Sequence, residues 1–154
     1  MNILRSDIKI MGKEINKKIE WSNSFSIGNK DIDNDHKQIL DIYNQLFDML
    51  HGNNMARAEF ARILSEMTDY SLRHFQREEA YMLNLSYPEY EQHVVYHKDY
   101  IYKVAMYNVN FLGNNPPDPK AVLDFLYQWW CFHILRKDIE YENFKSDNDY
   151  KVDY

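Results

Sequence analysis

The chain has 154 residues, which is enough for one domain with a substantial core and too few for two. Its formal net charge of −6 offers no broad positive surface for a phosphate backbone, which argues against nucleic-acid binding. No apolar run approaches the roughly 18 residues that a membrane span requires, and charges interrupt the N-terminus where a signal peptide would be apolar. The single cysteine excludes an internal disulfide, so we expect a soluble cytoplasmic protein.

The scarcity of glycine and proline, four residues of each, favours a few long helices over many short strands. Residues 1–20 are predicted to be an N-terminal extension with loosely helical spacing of its isoleucines. This extension is either mobile and solvated or a helix that contacts a partner or a membrane surface. Residues 21–143 are predicted to be the helical domain, opening with an irregular arm up to Asp33, and residues 144–154 to be a polar C-terminal tail.

The first two predicted helices have clear inward faces. The first runs from about Asn34 to His51, with Asp33 or Asn34 as its N-cap. Its apolar face repeats at helical spacing: His36, Ile39, Leu40, Tyr43, Leu46, Phe47 and Leu50. His51 ends this helix, where a histidine interacts favourably with the helix dipole, so it is not expected to bind a metal. The second helix runs over about residues 55–83, with this inward stripe: Phe60, Ile63, Leu64, Met67, Ser71, His74, Glu78 and Tyr81 or Met82.

The third predicted helix opens at residues 86–89, Ser-Tyr-Pro-Glu, which have the spacing of a capping box, and it stops at Gly113. The fourth follows a proline pair, with Asp118 as N-cap and Pro119 in the first position, and ends after about Tyr141. Short loops make consecutive helices antiparallel. The predicted fold is therefore all-α, an up-down-up-down four-helix bundle with an irregular N-terminal arm.

Five of the six histidines fall on the predicted inward faces of all four helices: His36, His74, His93, His97 and His133. His93 and His97 are one helical turn apart, so both imidazoles can reach one metal ion, and His74 and Glu78 repeat this spacing. A single inward histidine is more often a hydrogen-bonded core residue than a ligand. Five of them on converging helices, with a glutamate among them, instead predict a metal site.

The types of ligand restrict the metal. Imidazole and carboxylate groups suit iron, zinc or copper, and the absence of a cysteine pair excludes thiolate sites. Five nitrogens and a carboxylate exceed what a four-coordinate zinc ion uses, so two metal ions are expected. Carboxylate-rich di-iron bundles carry two Glu-x-x-His motifs, which this sequence lacks. The predicted site is therefore rich in histidine and differs from that of the carboxylate oxidases.

Over nearly all of residues 21–141 the chain resembles the bacterial single-domain hemerythrins. The resemblance is carried by these motifs, in order and at family spacing: Trp21 with Phe25-Ser26-Ile27-Gly28, Ile32-Asp33-Asn34-Asp35-His36, His74-Phe75-Gln76-Arg77-Glu78-Glu79, His93-x3-His97, and Trp129-x3-His133-Ile134-x3-Asp138-x2-Tyr141. Each motif is weak by itself, but together they are highly specific.

The resemblance implies a non-haem di-iron centre with an oxo or hydroxo bridge, which binds dioxygen. It implies seven protein ligands: His36, His74, Glu78, His93, His97, His133 and Asp138. The three histidines of the last two helices would complete one iron. His36 and His74 would hold the other iron and leave a position open, while Glu78 and Asp138 would bridge the two.

Asp138 does not follow from helical spacing. A residue five positions after His133 lies roughly 140° around an ideal helix and would point away from the site. If Asp138 is a ligand, the fourth helix has to widen locally, as π-bulges at functional sites do. The role that the resemblance implies for Asp138 therefore predicts a local widening of the fourth helix between His133 and Asp138, as in a π-bulge.

The resemblance also places Trp129, Trp130 and Ile134 around the oxygen pocket, where low polarity would exclude water. Core packing alone is a sufficient explanation for each of them. Trp130 occupies a position at which the family usually has leucine. Its larger ring is expected either to narrow access to the pocket or to turn outward.

Three further side chains have alternative interpretations. Asp35 stands where glutamine or glutamate is usual in the family, and it is either a hydrogen-bond acceptor for His36 or, as we prefer, solvated. Tyr141 matches a family tyrosine near the site and is expected to pack there with a partner for its hydroxyl. Cys131 is expected to be a small buried filler in preference to a redox-sensing thiol.

Three classes of function remain open from the sequence. The first is a protein that binds dioxygen reversibly, as a carrier, reservoir or scavenger, without being an enzyme. The second is an oxygen or redox sensor whose change is read by a protein partner. The third is an enzyme that consumes peroxide or nitric oxide, against which the lack of a positioned acid or base argues mildly.

Overall fold

The computed structural model describes residues 17–52 and 55–149 of the chain, and within them every regular element is helical. The elements in chain order are a 3-10 turn (Asn23–Phe25), α1 (Lys30–Leu50), α2 (Arg57–Asn84), α3 (Tyr90–Phe111), α4 (Pro119–Phe132), a π-helical turn (His133–Asp138) and α5 (Ile139–Asp149). Because α4, the π-helical turn and α5 follow without a break, they form one long fourth rod. The predicted all-α four-helix bundle is confirmed.

The core lies along the predicted inward faces. α1 packs against α2 and α4, and α2 packs against α3. The fully buried apolar side chains between them include Leu46, Leu64, Met67, Val104 and Leu126. Burying a side chain of this size contributes about 1.5–3 kcal/mol each, so these contacts hold the helices together. In this described part of the chain, no helix combines the length and the apolar character that crossing a membrane requires.

The first helix begins about one turn earlier than the sequence predicts. Its N-cap is Asn29, whose side-chain oxygen accepts hydrogen bonds from the backbone amides of Asp31 at 3.1 Å and Ile32 at 3.2 Å. The predicted caps, Asp33 and Asn34, lie inside the helix. Since an amide oxygen at the N-cap satisfies backbone donors that have no helical partner, Asn29 fixes where the helix starts.

Asp33 is instead used to hold the irregular arm against the first turn of α1. Its carboxylate accepts hydrogen bonds from the Ser26 hydroxyl at 2.5 Å and from the backbone amide of Ile27 at 2.9 Å. Gly28 follows with a φ of +88°, in the left-handed region that glycine adopts without strain. The glycine lets the arm turn sharply into the helix while Asp33 ties the turn down.

The third helix begins at Tyr90, so the capping box predicted at residues 86–89 is wrong. Ser86 has a φ of +54° and belongs to the end of α2. Its backbone amide donates to the carbonyl of Leu83 at 3.0 Å, and that of Tyr87 donates to Met82 at 3.1 Å. These two bonds are the Schellman pattern that closes a helix C-terminus, here with serine in place of the usual glycine.

The fourth rod begins as predicted and ends later. Asp118 caps it by accepting a hydrogen bond from the backbone amide of Lys120 at 3.0 Å, and Pro119 occupies the first helical position. The predicted end after about Tyr141 is wrong, because α5 continues to Asp149. Tyr141 is fully buried and Phe144 packs against the core, so an apolar side of α5 keeps this segment on the bundle.

The last residues of the predicted N-terminal extension are part of the packed structure. Ile19 is buried, and both its backbone groups bond to the Asn44 side chain, the amide at 2.9 Å and the carbonyl at 2.8 Å. The Tyr43 hydroxyl donates to the carbonyl of Lys17 at 3.0 Å. The interpretations of residues 1–16, as a solvated segment or a docking helix, lie outside the described residues.

The role of Asn29 can be tested by removing its side-chain oxygen. We expect Asn29→Ala to lower the free energy of unfolding by about 1 kcal/mol, which is the typical value of an N-cap. Chemical unfolding followed by circular dichroism measures this change. The matched control is Asn34→Ala, which alters an exposed residue one turn further on. Equal losses in the two variants would show that Asn29 is not the cap.

Candidate metal centre

Seven ionisable side chains from all four rods meet inside the bundle, and none of them is more than 3% exposed: His36, His74, Glu78, His93, His97, His133 and Asp138. They are the seven residues that the sequence and the family resemblance single out as ligands. The structure therefore brings the whole predicted set together.

Asp138 reaches the cluster because the fourth rod widens. Residues His133–Asp138 form a π-helical turn, as predicted. This wide turn brings the Oδ1 atom of Asp138 to 2.9 Å from the Nε2 atom of His133. In a regular α-helix the two side chains would diverge by roughly 140°. The local irregularity is thus what completes the cluster.

The polar atoms fall into two groups, in each of which the candidate ligand atoms lie within 4.8 Å of one another. One group consists of Glu78, His93, His97 and His133. The other consists of His36, His74, Glu78 and Asp138. Glu78 belongs to both groups, as a carboxylate does when it bridges two metal ions.

The Asp138 carboxylate also faces both groups. Its Oδ1 atom lies 3.2 Å from the Nε2 atom of His93 and 2.9 Å from that of His133. Its Oδ2 atom lies 2.9 Å from the Nε2 atom of His36. Each oxygen therefore points to a different set of histidines, which is the geometry of a bridging ligand.

Glu78 belongs to α2, and its carboxylate contacts histidines of α2 and α3. Its Oε2 atom is 3.3 Å from the Nε2 atom of His74 and 3.2 Å from that of His97. Its Oε1 atom is 3.7 Å from the Nε2 atom of His93. Between them, the two carboxylates therefore contact all five imidazoles.

The contacts are close but are poor hydrogen bonds. The Nε2 atoms of His36, His74 and His93 are buried without a hydrogen-bond partner, as are all four carboxylate oxygens of Glu78 and Asp138. Each buried unsatisfied polar group costs about 1–3 kcal/mol, so a cluster of this size is unfavourable without a cation among its atoms.

Two of the imidazoles point their nitrogens directly at each other. The Nε2 atoms of His97 and His133 are 3.1 Å apart, a hydrogen-bond distance at which one of the two nitrogens has to carry the proton. Metal ions between the nitrogens and the carboxylates would satisfy the unpartnered atoms. The residues present therefore fit a metal centre of nitrogen and oxygen ligands.

The charges of the metal-free cluster support this conclusion. Burial opposes ionisation of Glu78, but His74 and His97 hold its pKa at about 2, so it is an anion. Burial likewise opposes ionisation of Asp138, whose pKa the surrounding imidazoles, first among them His133, hold well below its usual value. The bundle thus encloses two carboxylates, which require a compensating positive charge.

When no metal is bound, the compensating positive charge is distributed unequally among the imidazoles. Burial lowers the pKa of His74, but Glu78 and Asp35 outweigh it and raise the pKa to about 9. Burial lowers the pKa of His133 to about 4, because the neighbouring charges do not compensate fully. Metal binding therefore has to displace a proton from His74 but not from His133.

Two carboxylates outside the cluster orient two of the histidines. The Nδ1 atom of His74 donates to Asp35 at 3.0 Å, and that of His97 donates to Glu79 at 2.9 Å. A carboxylate can only accept here, so each Nδ1 carries a proton and each Nε2 faces the cluster, where its lone pair becomes available to a metal ion once any proton on it is displaced. Such outer contacts are typical of histidines that bind metals.

The preferred interpretation of Asp35 as a solvated side chain is wrong. Its side chain is only 13% exposed, and the alternative named His36 as its partner where the structure shows His74. The error has a geometric cause, because adjacent residues on a helix point in different directions and cannot pair side by side. Glu79 was not predicted to have a role, although it directly follows Glu78 in the sequence.

An aromatic wall covers the His36 and His74 side of the cluster. The Trp130 ring is fully buried, with its centroid 6.4 Å from that of His36 and 6.0 Å from that of His74. The outward orientation considered for Trp130 is therefore wrong. The buried Phe75 ring stacks on Trp130 at 5.7 Å and on His97 at 3.9 Å. Phe75 was not among the predicted inward residues.

A chain of buried hydrogen bonds fixes Trp130 in place. Its indole Nε1 donates to the Tyr100 hydroxyl at 3.1 Å, which lies 3.1 Å from the Ser71 hydroxyl. Ser71 in turn donates to the backbone carbonyl of Met67 at 2.7 Å. Because every polar atom of this chain has a partner, the indole cannot rotate without leaving a buried group unsatisfied.

The remaining predicted neighbours also lie at the cluster. Trp129 stacks on His133 at 4.3 Å, and Ile134 is fully buried. Tyr141 stacks on His93 at 5.8 Å as expected, but its buried hydroxyl has no hydrogen-bond partner among the described residues, so the expectation of such a partner is wrong. Burial and the nearby carboxylates, first Glu78, raise the pKa of Tyr141 well above its usual value, so its hydroxyl stays neutral beside the cluster.

Two residues expected to lie outside the site do so. His51 caps the end of α1, and its ring nitrogen donates to the carbonyl of Phe47 at 2.9 Å. Cys131 is buried on α4, as expected for a small filler. Neither belongs to the groups of candidate metal ligands.

Comparison with known proteins gives consistent matches. The family described as the hemerythrin HHE cation binding domain matches residues 28–142. A bacteriohemerythrin from Clostridium acetobutylicum is 30% identical over 125 residues, which cover 79% of this chain and 96% of that protein. A bacteriohemerythrin from Pseudomonas aeruginosa is 32% identical over 118 residues, covering 77% of this chain and 74% of that protein.

A solved structure described as wild-type hemerythrin has the same fold. It superimposes with a TM-score of 0.75 at 25% identity, covering 81% of this chain and 95% of that one. A hemerythrin variant in which one leucine is replaced by tyrosine superimposes equally well. The likeness to known proteins thus extends over most of both chains in sequence and in structure.

The division into two groups predicts separate loss of two metal ions. We expect His74→Ala to lose about one of two bound ions, because the group of His36 and His74 keeps only one imidazole while the other group keeps three. Metal analysis after anaerobic loading with ferrous iron measures this loss. His51→Ala is the matched control and should bind as much iron as the unaltered protein. Full retention of both ions in His74→Ala would contradict the assignment of this histidine.

Proposed function

Because this chain belongs to the hemerythrin family, we propose that its buried cluster holds two iron ions and binds dioxygen reversibly. The protein would then be an oxygen carrier, reservoir or scavenger. The observation that carries the proposal is the cluster itself, in which five imidazoles and two carboxylates present unpartnered atoms to one enclosed space. Two ferrous ions held by these residues would supply the two electrons that reversible binding of dioxygen requires.

The ligand assignment we propose follows the two groups. The three histidines of α3 and the π-helical turn would complete one iron, and His36 and His74 would hold the other with a position left open. Glu78, which belongs to both groups, and Asp138, whose oxygens face different histidines, would bridge the irons beside an oxo or hydroxo group. The second ion thus has fewer protein ligands and is the one at which an exogenous ligand would enter.

Reversible binding requires that water and protons be kept from the open position. The Trp130 ring lies next to His36 and His74, the Phe75 ring lies next to His74, and both rings are buried. Low polarity on this side raises the cost of separating charge, which disfavours escape of a reduced oxygen species. A cytoplasmic location and the absence of nucleic-acid binding stay predictions from the sequence.

The proposal is tested by oxygen cycling. We expect the iron-loaded protein, reduced under anaerobic conditions, to develop a visible absorption band on exposure to oxygen and to lose it on deoxygenation, over repeated cycles. A single irreversible oxidation would contradict reversible binding and favour the sensor or an enzyme acting on peroxide or nitric oxide. Fewer than two irons in the fully loaded chain would contradict the di-iron centre.

The position of Trp130 predicts that its ring slows the access of dioxygen to the cluster. We expect Trp130→Leu to increase the rate of oxygen binding and release; if the indole raises the barrier to passage by about 1.4 kcal/mol, the increase is roughly tenfold. Stopped-flow spectroscopy measures both rates. Trp21→Leu, which removes a tryptophan that stacks on Phe25 in the arm, is the control. Unchanged rates in a folded Trp130→Leu protein would show that the indole does not limit access.

A further inference from the structure

Asp35 and Arg77 form a hydrogen-bonded connection between the protein surface and His74. The Arg77 side chain is 52% exposed, that of Asp35 is 13% exposed and that of His74 is fully buried. Arg77 belongs to α2, one turn beyond His74, whereas Asp35 belongs to α1. The connection therefore crosses between two helices and ends on a candidate ligand of the open iron.

The Asp35 carboxylate accepts four hydrogen bonds from three side chains. Its Oδ2 atom accepts from the Nδ1 atom of His74 and from the Nε atom of Arg77, both at 3.0 Å. Its Oδ1 atom accepts from the Nη2 atom of Arg77 at 2.7 Å and from the Tyr70 hydroxyl at 3.0 Å. Four donors use the acceptor sites of a carboxylate fully, so the group has one well-defined orientation.

From this geometry we propose that Asp35 is a positioning residue for His74. We further propose that Arg77 sets the strength of the Asp35 carboxylate as a hydrogen-bond acceptor. Asp35 holds His74 in the tautomer with the proton on Nδ1, which turns Nε2 towards the cluster. Arg77 draws negative charge from the carboxylate through two parallel hydrogen bonds and thereby limits how strongly Asp35 polarises the imidazole. The inference rests on the proposed function only in taking the bound metal to be iron.

The inference has a consequence of definite sign for the reduction potential of the iron. A stronger acceptor at Nδ1 makes the imidazole a better electron donor, which favours ferric iron and lowers the potential. Asp35→Asn leaves a weaker acceptor, so the potential should rise. Arg77→Gln leaves Asp35 without its fork of donors, so the carboxylate should polarise His74 more and the potential should fall.

Hydrogen bonding must be separated from the simple loss of a charge. Arg77→Lys keeps the positive charge but cannot form the two parallel bonds, so it should lower the potential in the same direction as Arg77→Gln. Arg73→Gln removes a charge from the same helix, at an exposed residue whose guanidinium lies over the Tyr70 ring, and should leave the potential unchanged. Tyr70→Phe removes one donor to Asp35 and should give a smaller fall than Arg77→Gln.

The experiment measures the midpoint potential of the iron-loaded variants by spectroelectrochemistry, with iron content determined in parallel. We expect a rise in Asp35→Asn, falls in both Arg77 variants, and a loss of roughly 10- to 100-fold in ferrous-iron affinity for Asp35→Asn. A value for Arg77→Lys equal to that of the unaltered protein, or a fall as large in Arg73→Gln, would overturn the inference. So would an Asp35→Asn protein with unchanged affinity and potential.

A second measurement uses the metal-free protein. Nitrogen-15 NMR of the histidine rings should show a protected Nδ1 proton on His74, which Asp35→Asn weakens or removes and Arg73→Gln retains. An Nδ1 proton of His74 that is equally protected in Asp35→Asn would overturn the positioning role. Neither measurement requires dioxygen, so failure of this inference can be told from failure of reversible oxygen binding.

Discussion

The structure depends on one electrostatic constraint, which is that two ionised carboxylates and five imidazoles are enclosed where water cannot solvate them. Glu78 and Asp138 are completely buried, and the atoms facing them are imidazole nitrogens at about hydrogen-bond distance but without hydrogen-bond alignment. An apolar core would avoid the cost of this arrangement, so the cluster is tolerated because a cation satisfies it. The long helices, their inward faces and the outer carboxylates can all be understood as the scaffold that keeps these atoms at fixed positions around that cation.

Much of the fold and six of the seven cluster residues follow from periodicity, since apolar and histidine side chains recur at helical spacing and the face they define has to be buried. Asp138 could not be found this way, because its position depends on a change in helix type that leaves no clear mark on composition; the family resemblance supplied it.

The ends of the helices were less predictable. Ser86 is of a residue type that is common at N-caps, but it closes the preceding helix. Asn29 caps α1, while Asp33 holds the arm. Such choices depend on which backbone groups lack partners in the folded chain. Asp35 was misjudged because its partner is on another helix.

The neighbourhood of the cluster combines an apolar surface with a few fully partnered polar atoms. Trp130 presents its ring to the histidines while its one polar atom is turned away to Tyr100, which Ser71 supports. A leucine would present a smaller surface and have no such anchor. The aromatic wall is therefore both a hydrophobic barrier and a rigid one, since rotating the indole would leave a buried donor unsatisfied. This rigidity distinguishes the wall from packing by flexible aliphatic side chains.

The π-helical turn has a consequence for how the fourth rod can vary. Each residue of an α-helix advances the chain by about 100° around its axis, so the turn at His133–Asp138 acts as a single-residue phase shift within an otherwise regular rod. The half before the shift carries Trp129 and Trp130, and the half after it carries Tyr141. If these residues formed a regular α-helix with no change of length, Tyr141 and the rest of α5 would rotate by about 100° away from the bundle, whereas deleting one residue between His133 and Asp138 would keep Tyr141 facing the core. The two halves of the rod are consequently both in register with the core only because the π-helical turn accommodates one more residue than an α-helical turn would.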